Sequence, residues 1–279
     1  FTVTASSQQD TIINSRSLDS VVVISFLNQN IVRPLPVVQG AYTFFFFLTE
    51  VLELAQIPAD ITNKTGRQLF AKIPGVFVYD MDGAGNQVNI ASRGLDPHRG
   101  WEFNIRKDGI ITNSDMYGYP ASHYSMPLES IARIELVRGT GSLQYGAQFG
   151  GMLNYITKQG DITRPFSFES ISTVGSFNLI STYNAIGGKS GKFKYYAYMH
   201  KKSRNGYRDN EHTESQAQSV ALTYEPNSRL SVRVEWARSK YRYRIPGALT
   251  DSMFHADPIQ ATRSRNYFSP DIHVPSVNL

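Results

Sequence analysis

Residues 228–240, "SRLSVRVEWARSK", alternate with a period of two: Leu230, Val232, Val234 and Trp236 on one side, Ser231, Arg233, Glu235 and Ala237 on the other. Such alternation fits an extended strand with one apolar and one polar face, and it excludes an amphipathic helix. "KFKYYAYMHKK" at 192–202 repeats the pattern, setting Phe193, Tyr195, Ala197 and Met199 against Lys194, Tyr196, Tyr198 and His200. Segments 166–175, 177–187 and 216–225 alternate less cleanly, so the second half of the chain reads as about five strands of roughly ten residues.

The connections sharpen this. "GGKSGK" and "EPNSR" are tight, whereas "SRNGYRDNEHTES" and the tail of nearly forty residues after the fifth strand are long. The Gly175-Ser176 connection departs from the pattern by being short. Apolar-out, polar-in strands with short turns at one end and long loops at the other describe an outer-membrane barrel wall. A soluble antiparallel sheet with one wet face alternates identically, and periodicity leaves both readings open.

Composition narrows the function classes. Among 279 residues there is no cysteine, which excludes disulfides, thiolate metal sites and a cysteine nucleophile. The net charge of +5 is spread along the chain, without the basic block that nucleic-acid binding favours. No apolar run reaches the length of a transmembrane helix. The chain begins at Phe1 without a basic leader, so a signal peptide is expected to have been removed or to lie outside this sequence.

The first 160 residues have a different texture, with short apolar runs broken by Gly, Pro, Asn and Asp. "TNKTGRQLFAKI" predicts one helix, capped by Thr62 or Asn63 and stopped by Pro74-Gly75. "RIELVRGTGSLQYGAQFGGMLNYITK" at 133–158 places five glycines between two strands. That density implies tight turns or close backbone approach, and we expect Gly150-Gly151 to bring the sheet against a neighbouring wall.

That stretch, through Glu135, Arg138, Gly139, Tyr145, Gly146, Gly150, Gly151 and Thr157-Lys158, resembles the end of the plug domain of TonB-dependent outer-membrane receptors. "KIPGVFVYD" (72–80), "NIASRGL" (89–95) and "RKDGIIT" (106–112) resemble the family's Pro-Gly-Val, Ile-x-x-Arg-Gly and Asp-Gly segments. "LDSVVV", Leu18, Asp19, Ser20, Val21, Val22 and Val23, is similar to a TonB box. Within the family the sequence looks most like ferric-citrate and ferric-siderophore receptors.

The resemblance implies an α+β plug domain followed by an incomplete antiparallel transmembrane β-barrel, with a TonB-box segment and linker over 1–43, the plug over 44–160 and the partial barrel over 161–279. Family barrels have about 22 strands, so five are part of a wall, and the chain is expected to be a piece of a longer protein. It implies a receptor in the outer membrane of a Gram-negative bacterium, contacting outer-membrane lipid. Uptake would be energised by TonB of the TonB-ExbB-ExbD system, with no cofactor and iron carried only as a chelated substrate. Arg93 and Arg138 would lock the plug to barrel glutamates lying beyond Leu279. Three plug loops would face outward to the ligand, carrying His98, Arg99, Trp101, Tyr117, Tyr119, His123 and Tyr124. Arg and His suit carboxylates of a ferric chelate, and aromatics supply apolar area with a polar tip; the same aromatics could instead seal the plug against its wall. An importer of a glycan or cobalamin and a soluble β-rich binding module are the competing readings.

No enzyme motif competes. "GTGSLQ" has Gln144 where a dinucleotide fingerprint needs its third glycine, and "DMDGAGNQVNIA" has Ala84 and Ala91 at calcium-ligand positions. The six histidines have no i,i+4 pair and imply no preformed metal site. The Phe44–Phe47 run is apolar enough for a strand but odd within a plug.

Overall fold

The computed structural model describes residues 32–35, 38, 39, 42, 43, 49–80, 83, 85–115, 118–139, 145, 146 and 148–279. The segment resembling a TonB box, the Phe44–Phe47 run and Tyr117 lie outside the described residues.

The N-terminal part is built on one six-stranded sheet. Its strands are β1 (Val32–Arg33), β4 (Thr49–Glu53), β7 (Phe103–Lys107), β8 (Ile110–Ile111), β11 (Ile131–Val137) and β12 (Gly151–Thr157), in the order β1-β4-β11-β12-β7-β8. Between these come three small pairs: β2 (Val38–Gln39) with β3 (Tyr42–Thr43), β5 (Val76–Val78) with β6 (Ile90–Ser92), and β9 (Asn113–Ser114) with β10 (Ala121–Ser122). β11 and β12 are the central strands, and their apolar side chains Ile134, Leu136 and Leu153 are fully buried together with Phe103 and Ile105 of β7. Each such burial contributes about 1.5–3 kcal/mol.

The expected helix is a single turn, α1 (Gly66–Phe70), and its N-cap is Thr65 rather than Thr62 or Asn63. Asn63 is diverted into a turn, where its N–H and side-chain amide both donate to Asp60. Thr62 instead turns its hydroxyl to Thr173 in the following sheet. The helix buries Leu69 and Phe70 on the plug core.

The expectation that Gly150-Gly151 packs on the wall is not met. A Cβ at Gly150 would lie 2.7 Å from the Glu102 carbonyl oxygen and the Phe103 ring, and one at Gly151 would collide with the Val137 carbonyl. Both neighbours are plug strands, so these glycines let β12 enter its own sheet. The close approach to the wall occurs at Gly160, where a Cβ would lie 2.9 Å from the Cα of Gly187.

From Ser167 the chain forms a second, antiparallel sheet: β13 (Ser167–Gly175), β14 (Leu179–Ser190), β15 (Phe193–Asn205), β16 (His212–Asn227) and β17 (Leu230–Arg244). These are the five expected strands. Two more, β18 (Asn266–Phe268) and β19 (Asp271–Asn278), follow the turn of helix α2 (Asp251–Ala256), and both pair with β17 as successive parts of one returning strand. The sheet thus has seven strands rather than about five. Pro270 and Pro275 hide the last two in the sequence, but an edge strand tolerates proline. Connections 191–192 and 228–229 lie at one end, and 206–211 and the long 245–265 segment at the other.

The two faces of this wall differ as the alternation predicts. Met199, Val220, Val234, Trp236 and Val277 are exposed on the outside, whereas Glu235, Ala237, Ser239, Tyr241 and Tyr243 are buried against the plug.

Candidate functional site: the outward loops and the clasp to the wall

The plug meets the long-loop end of the wall through polar contacts. Arg204 donates to the Gly83 carbonyl at 2.6 Å, the Asn86 amide donates to Thr213, and the Tyr241 hydroxyl donates to the His123 carbonyl at 2.8 Å. Residues 83, 85, 86, 113–115 and 118–123 therefore sit toward that end, and 96–102 join them through the bond from Arg99 to Tyr119. The β7–β8 hairpin and the 157–160 segment meet the opposite, short-turn end.

Four of the seven expected loop residues come together. Asp96 accepts from the His98 N–H and starts a tight turn. Arg99 adopts a left-handed conformation, φ 53°, and its N–H donates to Asn89 Oδ1 at 2.9 Å. This fixed backbone aims the guanidinium at the Tyr119 hydroxyl, 2.7 Å away. The Trp101 ring stands edge-on to both His98 and Tyr119, with centroids 5.8 and 5.3 Å apart. The result is a half-buried cluster of one permanent cation, one imidazole, an indole and a phenol. It can offer charge-assisted and aromatic contacts to an anionic, partly apolar ligand.

His123 and Tyr124 do not belong to it. The whole stretch 121–130, "ASHYSMPLES", is buried. His123 is held between plug and wall: its Nδ1 is 3.1 Å from the Ser114 hydroxyl, and its ring lies 5.1 Å from that of Phe268. Burial first, and the Arg99 charge second, lower its pKa to about 4, against a smaller opposing hydrogen bond from the Ala121 backbone. Tyr124 is part of the plug core, where burial raises its pKa. The segment has no glycine and only one charge, Glu129, and that scarcity is the sequence signal that it runs inside.

Within this chain the two arginines expected to lock the plug have partners inside the plug. Arg138 pairs with Glu50 through two nitrogens and donates to the Pro74 carbonyl at 2.7 Å, so it ties plug to plug. Arg93 is exposed, in a left-handed turn with φ 57°, and its N–H donates to the Gly75 carbonyl. The charges that do join plug to wall are elsewhere. Lys107 pairs with Glu235, whose carboxylate also accepts from Ser219 at 2.6 Å. Arg233 reaches Asp108 at 3.4 Å, Thr157 at 3.2 Å and Glu235 at 3.0 Å. Two cations and two carboxylates are thus closed off together, and a lysine at the plug's end, Lys158, adds a pair to Glu169 at 2.6 Å. The inward direction of Arg233 and Glu235 was readable from the alternation. Their partners in "RKDG" were not, because that segment reads as an ordinary turn.

A compact sheet domain fastened by ion pairs to the polar face of an antiparallel wall, whose other face is apolar, is the arrangement of a plug-in-barrel protein. Comparison with known proteins makes this specific. The TonB-dependent Receptor Plug Domain model matches residues 49–152, the part of the chain built on the six-stranded sheet. The structure resembles unliganded ferric citrate transporter FecA with a TM-score of 0.62 at 23% identity, covering 77% of this chain and 34% of that one. It also resembles the copper transporter OprC (TM-score 0.56, 13% identity, 74% and 32% covered). A third is the siderophore receptor PirA from Acinetobacter baumannii (TM-score 0.51, 18% identity, 71% and 32% covered). At these identities the likeness is one of fold. The chain spans about a third of the length of the receptors it matches.

Proposed function

We propose that this chain is the plug and adjoining wall of an outer-membrane receptor that takes up a ferric chelate, ferric citrate or a siderophore, with energy delivered by TonB. The observation that carries the reading is the Arg99 cluster, a fixed guanidinium among His98, Trp101 and Tyr119 at the long-loop end of the plug. Outer-membrane barrels set their longer loops outside the cell, so this is the end at which a ligand arrives. The ferric citrate and siderophore receptors among the structural relatives support the substrate class. The segment Leu18–Val23 is the proposed TonB contact. The matched proteins are transporters and receptors, which supports a transport role over catalysis.

OprC, a copper transporter, supports a second reading in which the cargo is another scarce nutrient. Growth of a deletion strain on defined iron sources decides between them. Loss of growth on one ferric chelate supports the first reading, and unimpaired growth on all of them together with loss of copper uptake supports the second. For the site itself, Arg99→Ala in the whole receptor is expected to weaken ferric-chelate binding by about one to two decades, the worth of a charge-assisted hydrogen bond. Thermal melting should stay unchanged. Unaltered affinity removes Arg99 from the site.

A further inference from the structure

Arg99 holds a backbone conformation that arginine rarely adopts. Its φ of 53° and ψ of 22° are left-handed, and Gly100 follows with φ 59°. A left-handed residue other than glycine persists only where its surroundings over-determine it, and such residues gather at ligand sites. Most of the turn is held from within. The His98 N–H donates to Asp96, the Gly100 N–H to the Pro97 carbonyl and the Trp101 N–H to the His98 carbonyl. Those bonds shape the turn but do not aim it.

Two contacts from other elements do aim it. Gly100 is buried so closely that a Cβ would lie 2.8 Å from the Ile105 side chain and 3.0 Å from the Val88 carbonyl. The Arg99 N–H donates to the side chain of Asn89, which stands just ahead of β6 and is 2% exposed. The Asn89 amide nitrogen donates to the Gln87 carbonyl, 3.4 Å away, which leaves Oδ1 as the end turned to Arg99. The Asn89 carbonyl accepts from the Tyr79 N–H and so extends the β5–β6 pair. Arg93 is left-handed too, but its N–H donates to a backbone carbonyl, that of Gly75. The bond at Arg93 survives any change of side chain at its partner, whereas the bond at Arg99 depends on which residue stands at position 89.

We propose that Asn89 is a positioning residue of the ligand site. It carries the hold of the plug sheet on the Arg99 backbone, and so the direction in which the guanidinium meets an anionic chelate. Being buried, it acts through Arg99 rather than on the ligand. The tip of Arg99 is held separately by the Tyr119 hydroxyl at 2.7 Å, so the loss of Asn89 frees the backbone end of a side chain that is otherwise fixed at both ends. The proposal rests on the reading of the Arg99 cluster as the chelate site.

The test uses the whole receptor purified in detergent and titrated with ferric citrate, a ferric trihydroxamate and a ferric triscatecholate. Four proteins are compared: the parent, Asn89→Leu, Arg99→Ala and the double variant. Leucine matches asparagine in size but offers no acceptor. For the chelate that the parent binds, Asn89→Leu is expected to weaken binding about ten-fold with Arg99 present and by less than about two-fold once Arg99 is replaced. A role in folding alone would weaken both backgrounds equally. Hydrogen exchange of the peptide 96–102, measured without ligand, is expected to quicken in Asn89→Leu while β7 keeps its protection. Equal losses in the two backgrounds, unchanged affinity in Asn89→Leu or unchanged exchange overturns the proposal and leaves the Arg99 site standing. Binding of none of the three chelates by the parent, or parent-like affinity in Arg99→Ala, overturns the chelate reading itself, and the role of Asn89 falls with it.

Discussion

Lys107 of the plug and Glu235 of the wall form an ion pair whose side chains are 6% and 4% exposed. Taking two charges out of water is costly, and the cost is recovered only when each keeps its partner. Glu235 keeps three, in Lys107, Arg233 and Ser219. Lys107→Met or Glu235→Gln alone is expected to cost about 3–5 kcal/mol, because each leaves a buried group unmatched. The double variant should be less harmful than the two single costs added together. Thermal melting of the four proteins in a double-mutant cycle checks this, and additive losses would show that the pair does not couple plug to wall.

His123 sets a pH dependence with a definite sign. Its pKa falls from 6.5 to about 4 in the folded protein, so between these values the unfolded chain binds a proton that the folded one refuses. Plug stability is therefore expected to be flat above about pH 6.5 and to decline by about 1.4 kcal/mol per pH unit as the pH falls toward 4. Melting of His123→Asn, compared with parent at pH 7.5 and pH 5, should show a smaller drop across that interval. An equal drop assigns the acid sensitivity to other groups.

Two glycines with positive φ are expected to respond differently to alanine. At Gly109, φ 84°, an added Cβ meets nothing within 4 Å, and the change should cost only the backbone strain of about 1–2 kcal/mol. At Gly151, φ 132°, the same Cβ collides with the Val137 carbonyl and forces the β11–β12 ladder apart. Gly151→Ala should therefore melt well below Gly109→Ala, and equal melting would mean that β12 can shift without loss.

The outer face of β17 gives a fourth test. Val234 is 52% exposed beside Trp236. Val234→Arg is expected to cost about 2–4 kcal/mol if this face meets lipid at mid-bilayer, and to lower the heat-modifiable fraction in outer membranes. Val234→Thr should be tolerated. Arg233→Val is no neutral comparison, since Arg233 holds Asp108 and Glu235 in the clasp. Full assembly of Val234→Arg would argue for a water-facing sheet.

Much of this architecture was legible because it is local. The period-two pattern at 228–240 located β17 and assigned its faces, and the glycine-rich 133–158 stretch located β11 and β12. His98, Arg99 and Trp101 were legible as a group because one short loop holds them, whereas Tyr119 joins them from a separate loop beyond β7 and β8. What escaped was non-local. Nothing in "RKDG" announces that its Lys and Asp meet β17, and in "ASHYSMPLES" only the scarcity of charge and glycine hints that the wall covers it. The bond from Arg138 to Glu50 was equally hidden, since it depends on β4 pairing directly beside β11. The wall glycines Gly187 and Gly188 were read only as part of a turn, although their lack of side chains admits the Gly160 and Pro165 backbones.

The clasp also fixes an order of events. Lys107 and Glu235 are 128 residues apart, whereas β11 and β12 pair across a single short connection. Closing a long chain loop costs entropy before any contact repays it, so local pairings form first. The plug sheet can be complete when no wall strand yet exists, and its polar flank, Lys107 and Asp108 included, then faces water. Lys158 can pair with Glu169 as soon as the first wall strand is made, but Lys107 and Asp108 wait for the fifth.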